Sequence, residues 1–215
     1  MKPLYCISGM GADERVFNNL QVRGFEIHFI KWIIPGKNEH ISEYAKRLGS
    51  QIHHKNPVLI GLSFGGMMCI EMAKQFDIQK IIIISSIKSR AELPSWMRIA
   101  GKLKLNKVLP LRSTRLTEPI QNYTLGVETE EEKLIAREYR QGINRVYSNW
   151  AIDQIINWKN EDCPVPLYHI HGAHDRIFPA KKVKADCIIP TGGHFMIMNR
   201  IDQINTKISE ILNIF

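Results

Sequence analysis

A serine enclosed by glycines at the junction of two apolar segments constrains this chain more than any other feature. The pentapeptide Gly61-Leu62-Ser63-Phe64-Gly65 follows the short apolar run 57–60 and precedes 64–76, where apolar residues recur at helical spacing. Ser63 is therefore predicted to lie at a sharp strand-to-helix turn. The backbone of such a turn is strained, and a side chain at either glycine would collide with the crossing strand or helix. The turn presents a hydroxyl at a helix N-terminus, where the helix dipole favours negative charge.

Short apolar runs alternate with helical patterns along most of the chain. We predict strands at 3–8, 25–30, 57–62, 80–85, 167–171 and 185–189. We predict helices at 13–20, 41–53, 64–76 and 201–214, with Ser42 and Asp202 as caps or first-turn residues. This alternation is typical of a parallel sheet covered by helices. The expected fold class is α/β, with a mainly parallel sheet of six strands.

One interval is far too long for an ordinary crossover. Roughly eighty residues, 87–166, separate the fourth predicted strand from the fifth, whereas most connections are short. Proline-containing and aromatic-rich stretches within it predict several short helices. We expect a helical cap at 88–160, inserted over the C-terminal edge of the sheet. The 215 residues, 44% of them hydrophobic, favour a single domain spanning 1–215 with this insertion.

The charge balance raises the question of a nucleic-acid partner. The formal net charge is +8 and the pI is near 9.4, but nucleic-acid binding also requires a recognition motif or stacking aromatics along a basic stripe. Neither is evident, so no nucleic acid is expected. Basic residues concentrate in the cap, opposed only by Glu92: Lys88, Arg90, Arg98, Lys102, Lys104, Lys107, Arg112 and Arg115. We favour solvated helix faces here, with an anionic substrate or a membrane surface as the alternatives.

Cysteine usage and apolar run length indicate the cellular environment. Cys6, Cys69, Cys163 and Cys187 lie far apart, without the paired spacing of a zinc site or the density of a disulfide scaffold. The first residues run directly into a strand and show no signal-peptide pattern. No apolar run approaches the ~20 residues that span a bilayer. We expect a soluble cytoplasmic protein without stable membrane insertion; its oligomeric state stays open.

Two further residues are candidates for the base and the acid that a serine nucleophile requires. A serine hydroxyl is a poor nucleophile until a base takes its proton, and the base needs an acid to hold the correct tautomer. Asp175 follows the strand predicted at 167–171, and His194 follows the strand predicted at 185–189. Three other carboxylates downstream of Ser63 compete for the acid role: Asp153, Asp162 and Asp186.

Four segments, taken in order, resemble the α/β-hydrolase superfamily over nearly the whole chain. They are Ser8-Gly9-Met10-Gly11-Ala12-Asp13, Gly61 to Gly65, His171-Gly172-Ala173-His174-Asp175, and Gly193-His194-Phe195. They resemble the oxyanion loop, the nucleophile elbow, the acid loop and the histidine loop of that family. Two departures are that the chain begins at what resembles the family's third strand, and that Ser8 stands where many relatives carry histidine.

The resemblance implies a function and a site. Ser63 would be the nucleophile, His194 the base and Asp175 the acid, with the backbone amides of Phe64 and Met10 forming the oxyanion hole. The substrate would be a small to medium, partly apolar ester or related acyl compound, cleaved through an acyl-enzyme. No cofactor or metal is implied. Carboxylesterase, thioesterase, lactonase and carbon–carbon bond hydrolase activities all remain open.

Two other interpretations come from different classes of function. Imidazoles two positions apart on a strand share a face, so His169 and His171, with His174 and Asp175, could chelate zinc. A strand that ends in a loop explains the same spacing, and we favour it. The chain could also be a non-catalytic protein that binds a ligand or partner on the same fold. The intact set of Ser63, Asp175 and His194 counts against that interpretation.

Overall fold

A single parallel sheet forms the centre of the molecule in the computed structural model, which describes residues 1–104 and 116–213. Its strands are β1 (Lys2–Ile7), β2 (Phe25–Ile30), β3 (Val58–Leu62), β4 (Lys80–Ile84), β5 (Leu167–Gly172) and β6 (Cys187–Ile189). Their order across the sheet is β2-β1-β3-β4-β5-β6, and every neighbouring pair is parallel. The predicted sheet of six strands is confirmed.

Helices connect and cover these strands. Within the described residues the α-helices are α1 (Ile41–Gly49), α2 (Phe64–Ala73), α3 (Ser95–Lys102), α4 (Glu118–Leu125), α5 (Glu130–Gly142), α6 (Arg145–Asn157), α7 (Met196–Asn199) and α8 (Ile201–Leu212). Short 3₁₀ turns occur at Glu14–Phe17, Arg90–Glu92 and Ala180–Lys182. α3 to α6 follow β4 and precede β5, so the inserted helices lie where the sequence predicts them.

The two faces of the sheet bury different side chains, because successive residues of a strand point to opposite sides. On β1, Tyr5 and Ile7 join the core beneath α1 and α2. Leu4 and Cys6 join the core beneath α8, where they pack with Ile204. The central strands β1, β3 and β4 are therefore apolar except for the lysine with which β1 and β4 begin, as expected for a sheet covered on both faces.

Several predicted helices are shorter in the structure. The helix predicted at 13–20 is wrong in extent: only the 3₁₀ turn Glu14–Phe17 forms, with Asp13 as its N-cap. The amides of Asn18 and Leu20 bond to carbonyls three residues back, not four, so the segment continues as tight turns. Ser42 lies in the first turn of α1, whereas His40 holds the N-cap position and forms a capping box with Glu43. The end predicted at residue 214 lies outside the described residues.

The insertion is joined to the core by a buried polar contact. All ten residues of α2 are buried, including Glu71. Trp158, which follows α6, donates its indole N–H to Glu71 Oε1 at 2.8 Å, and Lys74 Nζ donates to the same oxygen at 2.7 Å. A buried carboxylate is tolerated when it is paired in this way.

The basic residues at 88–115 differ in exposure, since Lys88, Arg90 and Arg98 are partly buried. Lys102 and Lys104 are exposed, while Lys107, Arg112 and Arg115 lie outside the described residues. Each of the four cysteines is a free thiol. In the described part of the chain, no helix is both long and apolar enough to cross a membrane.

Gly65 allows α2 to approach β1 closely, and this contact generates a stability prediction. A Cβ atom on Gly65 would overlap the carbonyl oxygens of Ile7 and Ser8. We expect Gly65→Ala to lower the free energy of unfolding by about 3 kcal/mol, since overpacking forces the backbone apart. Gly142→Ala is the matched control, because its Cβ would meet nothing within 4 Å. Urea unfolding measures both variants, and equal stabilities would contradict the close approach.

Candidate active site

Ser63 lies at the junction of β3 and α2 with an unusual backbone conformation. Its φ is +51° and its ψ is −118°, a combination that costs free energy in a residue with a side chain. Three hydrogen bonds hold it there. The Ser63 amide donates to Ile84 O at 2.9 Å, while Ser63 O accepts from the Gly66 amide at 3.0 Å and from Ser86 Oγ at 2.7 Å. The neighbouring strand β4 thus stabilises the strained turn.

The three side chains proposed as a triad lie in one hydrogen-bonded chain. His194 Nε2 lies 2.9 Å from Ser63 Oγ, and His194 Nδ1 lies 2.8 Å from Asp175 Oδ2. Asp175 Oδ1 accepts hydrogen bonds from the amides of Ile177 and Phe178, both at 2.8 Å. A carboxylate can only accept, so His194 Nδ1 carries the proton and Nε2 presents a lone pair to the serine hydroxyl. This geometry allows His194 to accept the proton of Ser63.

The carboxyl group of Asp175 is held in its charged form. Burial alone opposes that charge and is the largest single influence on it. The nearby His194 ring and its hydrogen bond, with help from His171 and the Phe178 amide, nevertheless lower the pKa of Asp175 below its usual value. Asp175 therefore stays ionised at neutral pH and can stabilise a positive charge on His194.

The other candidate acids lie elsewhere. Asp153 is on α6, and Asp162 and Asp186 are exposed. Among the described residues, Asp175 supplies the carboxylate within ion-pair distance of His194. The geometry thus distinguishes Asp175 from the other carboxylates that the sequence left open as the acid.

The structure brings the opening loop next to the serine. A Cβ built on Gly9 would lie 3.4 Å from Ser63 Cβ. Met10 follows it, with a partly exposed side chain, and its amide donates to no acceptor among residues 1–104 and 116–213. Phe64 opens α2, where no side chain caps the first amides. Both amides are thus near Ser63 and available to a ligand.

The Ser8 side chain links the two ends of the opening loop and joins the loop to Trp32. Its Oγ donates to Ala12 O at 2.7 Å and accepts the indole N–H of Trp32 at 2.9 Å. The Trp32 ring also stacks on Phe64, with centroids 5.4 Å apart and planes at 11°. Trp32 therefore contacts both segments that carry the candidate oxyanion amides. Trp32 is not among the residues predicted from the sequence, although its place two residues after β2, at the carboxyl edge of the sheet, was an available signal.

The histidines considered for zinc have other surroundings. His169 and His171 are fully buried, and His169 Nε2 lies 3.0 Å from His171 Nδ1. His171 Nε2 donates to Phe178 O at 2.7 Å, whereas His174 is exposed. The described part of the chain contains no group of three residues placed to hold a metal ion. The geometry gives the zinc hypothesis no support.

The end of α4 lies against the loops that carry the acid and the histidine. Phe195 donates its amide to Leu125 O at 2.8 Å. Arg176 donates to Tyr123 O at 2.7 Å, and its guanidinium lies 4.0 Å from the centre of the Tyr123 ring. The insertion thus covers the side of the site formed by Asp175 and His194.

Comparison with solved structures identifies the fold. MenH from S. aureus matches with a TM-score of 0.75 at 17% identity, covering 99% of this chain and 93% of that one. An esterase from Thermogutta terrifontis matches with a TM-score of 0.71 at 15% identity, covering 99% and 90%. A meta-cleavage product hydrolase from Pseudomonas fluorescens matches at 0.69 and 13%, covering 99% and 91%. This chain has the α/β-hydrolase fold. No protein-family model matches it, and no curated protein sequence does.

The buried histidine pair predicts a pH dependence of stability. Burial, followed by repulsion from His171 and Lys88, lowers the pKa of His169 to about 3. The ordinary value is about 6.5, so between these values the unfolded chain binds a proton that the folded chain does not. Stability should therefore rise with pH across this window, by up to about 1.4 kcal/mol per pH unit. We expect His169→Gln to reduce that slope.

Urea unfolding between pH 4 and pH 7 would measure the effect. His53→Gln is the matched control, because His53 is exposed, and it should keep the parental slope. A parental slope in His169→Gln as well would contradict a neutral buried His169.

Proposed function

We propose that this protein is a serine hydrolase that cleaves an ester or related acyl bond of a small to medium, partly apolar substrate. Ser63 is the nucleophile, His194 the general base and acid, and Asp175 the residue that orients His194. The observation that carries this proposal is the hydrogen-bonded chain from Ser63 to His194 to Asp175, with contacts of 2.9 and 2.8 Å. The strained turn at Ser63, typical of a nucleophile elbow, supports it.

The first half of the reaction forms an acyl-enzyme. Ser63 Oγ attacks the carbonyl carbon while His194 Nε2 takes its proton, and Asp175 stabilises the resulting imidazolium. The amides of Phe64 and Met10 donate to the oxyanion, each contributing about 3 kcal/mol to transition-state stabilisation. When the tetrahedral intermediate collapses, the bond to the leaving group breaks and His194 returns the proton to it.

The second half restores the enzyme. Water gives a proton to His194 Nε2 as its oxygen attacks the acyl carbon. The second tetrahedral intermediate then releases the carboxylic acid, and Ser63 Oγ recovers its proton from His194. All of these steps use side chains and amides of the described residues and need no cofactor.

The fold comparisons support hydrolysis as the general chemistry, since two of the matched structures are named as an esterase and a hydrolase. A serine at the elbow disfavours the aspartate-dependent reactions that open epoxides or remove halides. The alternative is a ligand-binding protein without catalysis. The intact hydrogen bonds around His194 favour the enzyme.

The roles of Ser63 and His194 predict a non-additive loss of activity. With p-nitrophenyl acetate, Ser63→Ala and His194→Ala should each lower kcat by about 10³-fold or more. The double variant should lose no more than either single one, because the two residues act as a unit. Ser50→Ala is the control, since Ser50 is exposed at the end of α1.

Three outcomes would count against the proposal. Parental activity in Ser63→Ala would exclude the nucleophile. Tight binding of an ester that is never turned over by the folded protein would favour the non-catalytic alternative. Activity that a chelator abolishes would indicate a metal-dependent reaction.

Trp32 is predicted to position the oxyanion amides. Trp32→Phe keeps a ring that can stack on Phe64 but removes the N–H that bonds Ser8 Oγ. A loosened loop should lower kcat by about 10-fold with little change in KM, because small misplacements of catalytic groups slow reactions strongly. Trp96→Phe is the matched control, since Trp96 is 63% exposed on α3.

Ser8→Ala should lower kcat similarly, and the Ser8→Ala, Trp32→Phe double variant should lose less than the product of the single effects. Steady-state kinetics measures all of these variants. A parental kcat in Trp32→Phe would contradict the positioning role while leaving Ser63 and His194 untouched.

A further inference from the structure

Two fully buried histidines of β5 have no part in the reaction proposed above. His169 and His171 each have 0% of their surface exposed, and they lie two positions apart on one face of the strand. β5 pairs with β4 and with β6, so the sheet fixes the backbone of both residues. Burying an imidazole costs free energy unless its nitrogens find hydrogen-bond partners. The partners of this pair therefore indicate what it does.

The contacts fix which ring nitrogens carry protons. His171 Nε2 lies 2.7 Å from Phe178 O, and a carbonyl oxygen can only accept, so Nε2 carries the proton. Burial is the main cause that lowers the pKa of both histidines below the ordinary value. Each ring is therefore neutral at neutral pH, and His171 Nδ1 has a lone pair. His169 Nε2, 3.0 Å away, donates to it. The hydrogen bonds thus run from His169 through His171 to Phe178 O.

Phe178, at the end of this chain of hydrogen bonds, contacts both the acid and the base of the proposed triad. Its amide donates to Asp175 Oδ1 at 2.8 Å. Its ring lies edge-on to His194, with centroids 5.7 Å apart and planes at 65°. Residues 173–179, which include Asp175, belong to no helix or strand. The hydrogen bond from His171 therefore joins an irregular loop to the rigid strand β5.

The same hydrogen bond directs the His171 proton away from Asp175. His171 Nε2 lies 3.6 Å from Asp175 Oδ2, which is longer than an N–H···O hydrogen bond. Oδ2 is also the oxygen that lies 2.8 Å from His194 Nδ1. Because His171 donates to Phe178 O, it does not compete with His194 for this oxygen.

We propose that His171 is a positioning residue for Asp175. By holding the Phe178 peptide, His171 sets the Asp175 carboxylate at the distance and angle that His194 requires. His169 holds the His171 ring in the tautomer that donates to Phe178 O. This inference rests on the proposed hydrolase function. Since His171 acts on the reaction through Asp175, its loss should affect kcat more than KM.

The first test removes the donor and then restores it, with p-nitrophenyl acetate as the substrate. His171→Leu cannot donate to Phe178 O. We expect it to lower kcat by about 10-fold or more with KM changed by less than about 3-fold, because small displacements of catalytic groups slow reactions strongly. His171→Gln carries a carboxamide nitrogen that can take the place of Nε2, and it should keep kcat within about 3-fold of the parent.

The opposite ranking of the two variants would overturn the proposal. If His171 only filled space, the apolar leucine would preserve kcat at least as well as glutamine does. His28→Leu is the matched control, because His28 is a partly buried histidine of β2 whose ring stacks on Tyr5. It should keep the parental kcat.

A second variant without the donor covers the case in which His171→Leu does not fold. His171→Asn keeps a polar side chain in the site but is too short to reach Phe178 O. It should show the same loss of kcat as expected for His171→Leu, with urea unfolding used to show that the protein is folded under assay conditions. A parental kcat in folded His171→Asn would contradict the positioning role.

The second test separates positioning from loss of folded protein. Fluorophosphonate labelling of Ser63 gives both the fraction of molecules that react and the rate at which they react. We expect His171→Leu to reach the parental extent of labelling at a rate lower by about 10-fold or more. A reduced extent at the parental rate would show that His171 only stabilises the fold and would overturn the proposal.

The third test observes the contact that His171 is proposed to maintain. The proton between His194 Nδ1 and Asp175 Oδ2 should give a far-downfield ¹H NMR resonance, assigned by its absence in His194→Ala. We expect the resonance in the parent and in His171→Gln, and its weakening or loss through faster exchange in His171→Leu. An unchanged resonance in His171→Leu would contradict the proposal.

The positioning role and the hydrolase function fail separately. If Ser63 is required for acetate hydrolysis but His171→Leu keeps the parental kcat, the positioning role is overturned and the hydrolase stands. If acetate hydrolysis does not depend on Ser63, both are overturned.

Discussion

The site depends on one constraint, the close packing of α2 against β1 and β3 at the turn that carries Ser63. Gly61 and Gly65 leave no room for a side chain, since a Cβ on Gly61 would lie 2.5 Å from Gly65 O. This approach forces Ser63 into a backbone conformation with a positive φ, and hydrogen bonds from the next strand hold it there. The burial of every residue of α2 offsets the cost of this strained conformation. The Ser63 hydroxyl is therefore held in a fixed position next to the loop that carries His194.

The sequence predicts the sheet well because buried parallel strands are continuous apolar runs. β2 begins and ends at the predicted residues, 25–30, and β3, β4 and β5 each differ from the prediction by one residue at one end. β1 lies at 2–7 instead of 3–8, a shift of one residue at both ends. β6 is shorter than predicted and begins at Cys187. At the preceding residue the Asp186 amide donates to His169 O at 2.9 Å, while the His169 amide donates to the Asp186 side chain at 2.8 Å. Such a contact joins residues far apart in the chain, and no local pattern reveals it.

In the candidate site too, local sequence patterns predict some features, whereas contacts between residues far apart in the chain determine others. The order and strand context of the motifs identify Ser63, Asp175 and His194, and the structure brings these three together. The position of Trp32 at the carboxyl edge of the sheet could be predicted, but its hydrogen bond to Ser8 could not, because that bond spans 24 positions and depends on how β1 and β2 pair.

The proposed reaction requires Ser63 to be an activated nucleophile. Treating the folded protein with a fluorophosphonate and mapping the adduct by mass spectrometry tests this most directly, with His194→Ala treated in parallel. We expect one adduct, on Ser63, that forms readily in the parent protein and is largely lost in the variant. An adduct on another residue, an adduct on Ser63 that does not depend on His194, or no adduct in the folded parent protein would contradict it.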